Sequence, residues 1–186
     1  MSSILLTLPA AEPLSRADAK RFIRLEHDAD DDLIDALIAS ARREIELATR
    51  RVLVTQSWRI VLHCWPRSGR VVSPVNPLKA LDAVRVLDET GAADDVDTAV
   101  FTLDKASVPA LIDCSRLNIP APGRSVAGIE LDVTAGYGGA ADVPAPLVQA
   151  IRLLVARNYE SRDRIAPDAL PFTVAALIAP FRVMLL

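Results

Sequence analysis

The sequence predicts an α+β protein with helices at both ends of the chain and short antiparallel strands between them. Three observations carry this. Apolar residues recur at helical spacing within the first fifty residues, and they do so again from Leu147 onward. The Val- and Pro-rich middle has no helical period and breaks into short alternating runs.

Residues 1–13 read as extended, and Glu12-Pro13-Leu14-Ser15 then opens the first helix. Ser15 suits the N-cap, Asp18 stands three positions on at the capping-box spacing, and Ala19, Phe22 and Ile23 supply a buried face. After a break at Glu26-His27-Asp28, the acids Asp30, Asp31 and Asp32 start a longer helix. Arg42, Arg43, Arg50 and Arg51 lie further along it, the polarity favoured by the helix dipole. Leu33, Leu37, Ala41 and Ile45 form its apolar stripe, with Ile34, Ile38 and Ala48 beside them.

From Val54 the pattern turns to β. Thr55–Leu62 alternates, and further strands are expected at Arg70–Val72, Ala83–Leu87, Val100–Leu103, Ala110–Ile112 and Ile129–Val133. Asp88-Glu89-Thr90-Gly91 suits a hairpin turn. Pro144 and Pro146 sit where a first helical turn tolerates proline. The helix they open carries Leu147, Ile151, Leu154, Val155 and Tyr159 and runs to about Arg162. A loop from Arg164 to Leu170 leads to a short terminal helix, Phe172–Ile178, stopped before Pro180. The chain closes on an almost uncharged apolar tail, a segment suited to a partner.

A chain of 186 residues can bury one core, or one core with an appended lobe. Its 51% hydrophobic and 24% charged residues argue against disorder, and only 4% aromatic content leaves Leu, Val, Ile and Ala to build the interior. A net charge of −3 and a pI near 5.4 disfavour wrapping of nucleic acid, which needs a basic surface. Cys64 and Cys114 make no disulfide framework and read as two small buried thiols of a reducing compartment. No secretory signal and no apolar span long enough for a membrane helix are visible, so the chain reads as cytosolic at synthesis, without a membrane partner.

Candidate catalytic groups each have a plainer explanation. His63 and Cys64, adjacent on a strand, would face opposite sides and read as a partly buried pair rather than joint zinc ligands. His27 lies in a break between helices. Ala135-Gly136-Tyr137-Gly138-Gly139 lacks both the dinucleotide and the P-loop spacing and reads as a flexible exit from the last strand. Gly123-Arg124-Ser125-Val126-Ala127-Gly128 falls short of a nucleophile elbow. Asp30–Asp32 need no metal, since a helix N-terminus favours acids, and the acids from Asp88 to Asp104 read as a solvated rim. No catalytic residue, metal or cofactor is expected.

Taken in order, these pieces resemble the phage head–tail connector (adaptor) proteins, a family that includes the adaptors of gene transfer agents. Glu12-Pro13-Leu14-Ser15, Ala19-Lys20, Ile23-Arg24, Asp31-Asp32-Leu33-Ile34, Leu37-Ile38, Ala41-Arg42, Glu46, Thr49, Arg51, Leu53 and Gln56-Ser57-Trp58 are similar to the family's N-terminal half. Ala135-Gly136-Tyr137-Gly138, Val143-Pro144, Leu147, Gln149-Ala150-Ile151, Leu153-Leu154-Val155-Ala156, Tyr159-Glu160 and Leu170-Pro171 through Phe181-Arg182 are similar to its C-terminal half.

The resemblance implies a non-enzymatic structural protein. Residues 14–53 and 143–186 would form a helical bundle, with residues 54–142 as a β-lobe inserted between them. Such a subunit would build a ring, twelvefold in the particle, beneath the portal protein, and would hold the tail or stopper protein below. DNA would pass through the channel without specific binding. The particle's head–tail junction would be its place, and the host cytoplasm its site of assembly. The apolar terminus would dock to the portal or a neighbouring subunit through Phe172, Val174, Leu177, Ile178, Phe181, Arg182, Met184, Leu185 and Leu186. A small regulatory or nucleic-acid-binding module is the alternative reading, and a hydrolase using Ser125 or the Asp88–Asp104 acids a remoter one.

Overall fold

The computed structural model describes residues 1–114, 119–161 and 170–184. It is an α+β fold with four α-helices and antiparallel sheets among those residues, and it divides into two compact units. One comprises Ala10–Val54 and Tyr137–Val183, the other Met1–Pro9, Thr55–Gly136 and Met184–Leu186.

The first unit is helical: α1 (Arg16–Ile23), α2 (Asp31–Thr49), α3 (Ala145–Glu160) and α4 (Phe172–Ile178). The Ser15 hydroxyl accepts the Asp18 amide at 3.1 Å, satisfying one of the free donors at the start of α1. Arg24 in the left-handed region ends that helix, with its amide bonded to Arg21 and Lys20 carbonyls. The α2 core line is Ile34, Ile38, Ala41 and Ile45, so Ala41 and Ile45 lie on the seam as expected, while Ile34 and Ile38, expected beside the stripe, take the places of the half-buried Leu33 and Leu37. It packs against Leu147, Ala150, Ile151, Leu154 and Val155 of α3, and against Val174 and Ile178 of α4. Each fully buried Leu or Ile contributes about 1.5–3 kcal/mol of transfer free energy, so this seam dominates the unit's stability. Described α3 ends at Glu160, and the expected helix end at Arg162 and most of the following loop lie outside the described residues.

The second unit is built on a five-stranded antiparallel sheet. Its strands are β1 (Ser2–Thr7), β2 (Gln56–Leu62), β4 (Leu78–Leu87), β5 (Ala93–Val96) and β8 (Ile129–Ala135), in the order β1-β2-β8-β4-β5. Trp58 opposes Val133, Ile60 opposes Leu131 and Leu62 opposes Ile129, all buried on one face. The alternate positions Arg59, Glu130 and Asp132 lie on the other face, the alternation of a half-buried sheet. A second sheet joins β3 (Arg70–Val72), β7 (Leu111–Asp113) and β6 (Thr102–Asp104) around Val71 and Ile112. Between β3 and β4 the buried Asn76 amide donates to the Ser73 carbonyl (3.1 Å) and accepts the Ala110 amide (2.8 Å), so its polar atoms do not go unpaired.

Three strands depart from expectation, and β4 is the first, since it begins at Leu78, five residues before the expected Ala83. β5 carries Asp94 and Asp95, residues depleted in strands, but it is an edge strand whose acids face water. Val100 falls in a 3₁₀ turn capped by Asp97, and β6 begins after it at Thr102.

Candidate assembly surface

The closing segment packs on α3 and is tied by hydrogen bonds to the end of α2 and the residues after it. Val174 and Ile178 stand one helical turn apart on α4, fully buried in the helical core, with Leu170, Leu177 and Phe181 packed against it. The Arg51 guanidinium donates from Nε to the Phe181 carbonyl at 2.5 Å, and the Val183 amide donates to the Thr49 carbonyl at 3.0 Å. Arg51 also lies 6.0 Å from the centre of the Tyr137 ring, at the outer limit of a cation–π contact. Burial raises the Tyr137 hydroxyl's pKa, and the Arg51 charge only partly offsets this.

This divides the expected docking residues. Val174 and Ile178 cannot meet a partner in the folded chain, since they fill its own core, and Leu177 and Phe181 are partly used the same way. Phe172 (85% exposed), Arg182 and Met184 (74%) face solvent, as do Ala176, Ala179 and Pro180. Leu185 and Leu186 lie outside the described residues. The i, i+4 spacing of Val174 and Ile178 was the available signal that one face of this helix turns inward.

The remaining candidates resolve into structural roles. His63 and Cys64 lie just past the end of β2 and are both exposed, not partly buried on a strand, so of the two thiols expected to be buried only Cys114 is. His63 Nδ1 accepts the Ala127 amide at 3.1 Å, which ties down the Gly123–Gly128 loop, and Ser125 in that loop is exposed. Asp30 accepts the Tyr159 hydroxyl at 2.6 Å. Asp31 is held by Lys20 at 2.7 Å and Arg16 at 2.8 Å, and these cations keep its pKa below the ordinary carboxylate value. Arg16 also grips Asp35, and Lys20 reaches Asp28 at 2.5 Å, so the acids at the start of α2 fasten α1 to it. Asp88 accepts Thr90 and Ala92 amides, and Asp104 those of Ala106 and Ser107, as turn-forming acids do. Among the described residues no group of three or more His, Cys, Asp or Glu side chains is placed to hold a metal ion.

The glycine-rich stretch carries the chain into α3. The Tyr137 amide donates to the Leu53 carbonyl, and Gly138 forms a parallel bridge with Val54. Gly138 has φ +149°, and a Cβ there would stand 2.1 Å from Asp142 Oδ2, the atom that accepts the Gly139 amide. Glycine is required by that close approach, with no phosphate needed to explain it.

Sequence reasoning missed a buried ion cluster on α2. Arg42 donates to Glu12 (2.7 Å) and to Glu46 (2.8 Å), and Glu46 accepts the Leu53 amide at 3.0 Å. The signal was an Arg–Glu pair at i, i+4 lying between Ile38 and Thr49 on the inward face.

Residues 17–86 match the family model of phage gp6-like head–tail connector proteins. Among solved structures, the chain is similar to one in the neck of an empty gene transfer agent particle computed with C6 symmetry. The TM-score is 0.86 at 27% identity, covering 100% of this chain and 97% of that one. A chain of the native gene transfer agent virion gives 0.85 at 27% identity, with the same coverages. One from the native neck computed with C12 symmetry gives 0.81 at 28%, again covering 100% and 97%. The likeness is to head–tail connectors. No curated protein sequence matches. The matches support a structural connector role at the head–tail junction of a phage or gene transfer agent particle, and not an enzymatic one.

Proposed function

We propose that this connector forms a closed ring, twelvefold in the particle, that joins the portal protein above to the tail or stopper protein below. The observation that carries this is the whole-length likeness to a gene transfer agent neck chain, supported by the C6 and C12 symmetry of the necks in which such chains sit. Residues 14–53 and 143–186 act as the helical connector core, and residues 54–142 as a lobe inserted into it. A closed ring needs two different faces on each subunit, a heterologous contact that repeats until it closes. Net charge −3 suits a channel wall along which DNA must slide, because fixed cations would bind phosphates.

Docking to the portal or a neighbour falls to the solvent-facing part of the terminus: Phe172, Arg182 and Met184, with Leu185 and Leu186 following them. Leu177 and Phe181 contribute their exposed edges, while Val174 and Ile178 hold the helix in place from within. Uncharged from Leu170 to Phe181, the segment offers an apolar surface that a partner's groove can cover. The test is Phe172→Asp combined with Met184→Asp in particles. Expected are filled heads without tails, from a chain that unfolds at an unchanged temperature. Normal tail attachment by the double variant would remove the docking assignment.

A further inference from the structure

The last two turns of α2 and its cap present a basic patch that shares only Arg182 with the docking surface. Arg43, Leu47 and Arg50 follow at i, i+4 and i+7 on the outer face of the helix and its cap, all exposed, with Leu47 66% accessible between the two cations. The Val183–Thr49 hydrogen bond brings the neighbouring, exposed Arg182 to the same end of the helix. Arg50 and Arg182 have no side-chain partner among the described residues. Arg43 stands 3.8 Å from Glu46. Arginines on either side of an exposed leucine suit an acidic partner with an apolar centre.

The same chain carries such a surface. The β4–β5 hairpin and the turn after it hold Asp88, Glu89, Asp94, Asp95 and Asp97, with no Lys or Arg between Arg85 and Lys105. All five acids are exposed, Glu89 and Asp94 have no side-chain partner among the described residues, and the half-exposed Val100 follows. Two hairpins of this charge repel each other, as do two basic patches, so like-to-like pairing is disfavoured and the unlike pairing remains.

We propose that the acidic β4–β5 hairpin of a second copy seats on the Arg43–Leu47–Arg50–Arg182 patch. The two surfaces differ, so the contact is head-to-tail and propagates around a ring. This rests on the ring reading and names the faces that build it.

Sedimentation of the full chain at low and physiological salt tests this in four forms: unaltered, Arg50→Glu, Asp94→Arg, and both together. Self-association is expected in the unaltered chain. Each single reversal should weaken it about tenfold or more, since like charges then face each other, and the double reversal should restore it. Thermal unfolding of each form shows that the exposed substitutions leave the fold intact. Association that ignores all reversals overturns the proposed contact while leaving the ring reading standing. A chain monomeric in every form overturns both. Salt-sensitive retention of duplex DNA that Arg50→Glu abolishes would assign the patch to nucleic acid and also overturn the contact.

Discussion

Arg42 Nη1 and Glu46 Oε2 are 2.8 Å apart on the inward face of α2, both almost wholly withdrawn from water. Burial pulls the Arg42 guanidinium's pKa down, but Glu12 and Glu46 outweigh it, so the cation is held more firmly than in water. Replacing Glu46 by Ala strips the pair of one member and leaves the Leu53 amide unsatisfied. A loss of about 3 kcal/mol is expected in urea unfolding, because the remaining buried charge has only Glu12 to meet it. Glu46→Gln, which keeps an acceptor for Leu53, should cost less than Ala.

Ile178→Ala and Phe172→Asp separate folding from docking. The first empties part of a packed core and should cost about 2–5 kcal/mol. The second changes an exposed position and should stay within about 0.5 kcal/mol of the unaltered chain. Denaturant melts of both, beside tail attachment in particles, check this. Only Phe172→Asp should lose attachment while still folded.

At Gly138 the backbone geometry predicts intolerance of any side chain. Gly138→Ala must push Asp142 away, break its bond to the Gly139 amide and adopt a φ that L-residues rarely visit. Destabilisation above about 1 kcal/mol is expected, read as a lower melting temperature. Asp142→Ala should relieve the clash, so adding it to Gly138→Ala should cost less than the sum of the two single changes.

On the outer face of the five-stranded sheet, Asp132 lies between Arg59 (2.7 Å) and Arg85 (2.8 Å), with Glu130 nearby sharing both arginines. Arg59, then Arg85, keep its pKa below the ordinary 3.8. A depressed carboxylate contributes stability that is fully present above the unfolded value and is lost as pH falls through the folded one. Asp132→Asn should therefore be less stable than the unaltered chain at pH 7, with the gap closing below pH 3.8. Urea midpoints followed from neutral pH down into acid, past the ordinary carboxylate value of 3.8, measure it.

Much of this architecture was legible because it is local. Ser15 and Asp18 mark the start of α1, and the spacing of Leu147, Ile151 and Leu154 defines α3 before any contact is known. Less legible was what depends on distant partners. β1 reads only as extended, since its pairing with β2 joins residues far apart in sequence, as Ser2 with Val61. β5 was hidden by its aspartates, which are tolerated because only one side of that strand is paired. Arg42 read only as a cation suited to the helix dipole, and it is the approach of Glu12 and Leu53 that reveals its pair with Glu46 as interior. In the candidate site, composition pointed to the tail but could not say which of its faces was already covered. Arg51 and Thr49, which fix that tail, carry no sequence signal of doing so.

The leading residues are easily dismissed as a dispensable arm, yet Ser2–Leu5 run in register with Val61, Ile60, Arg59 and Trp58. A recombinant version shortened to start at Ala10 would lose a whole ribbon of this sheet. The newly bare flank of β2 would present unpaired amides and carbonyls beside Trp58 and Ile60. Such a flank invites stacking of one molecule on the next into precipitate, so shortening the protein for crystallisation is better done elsewhere.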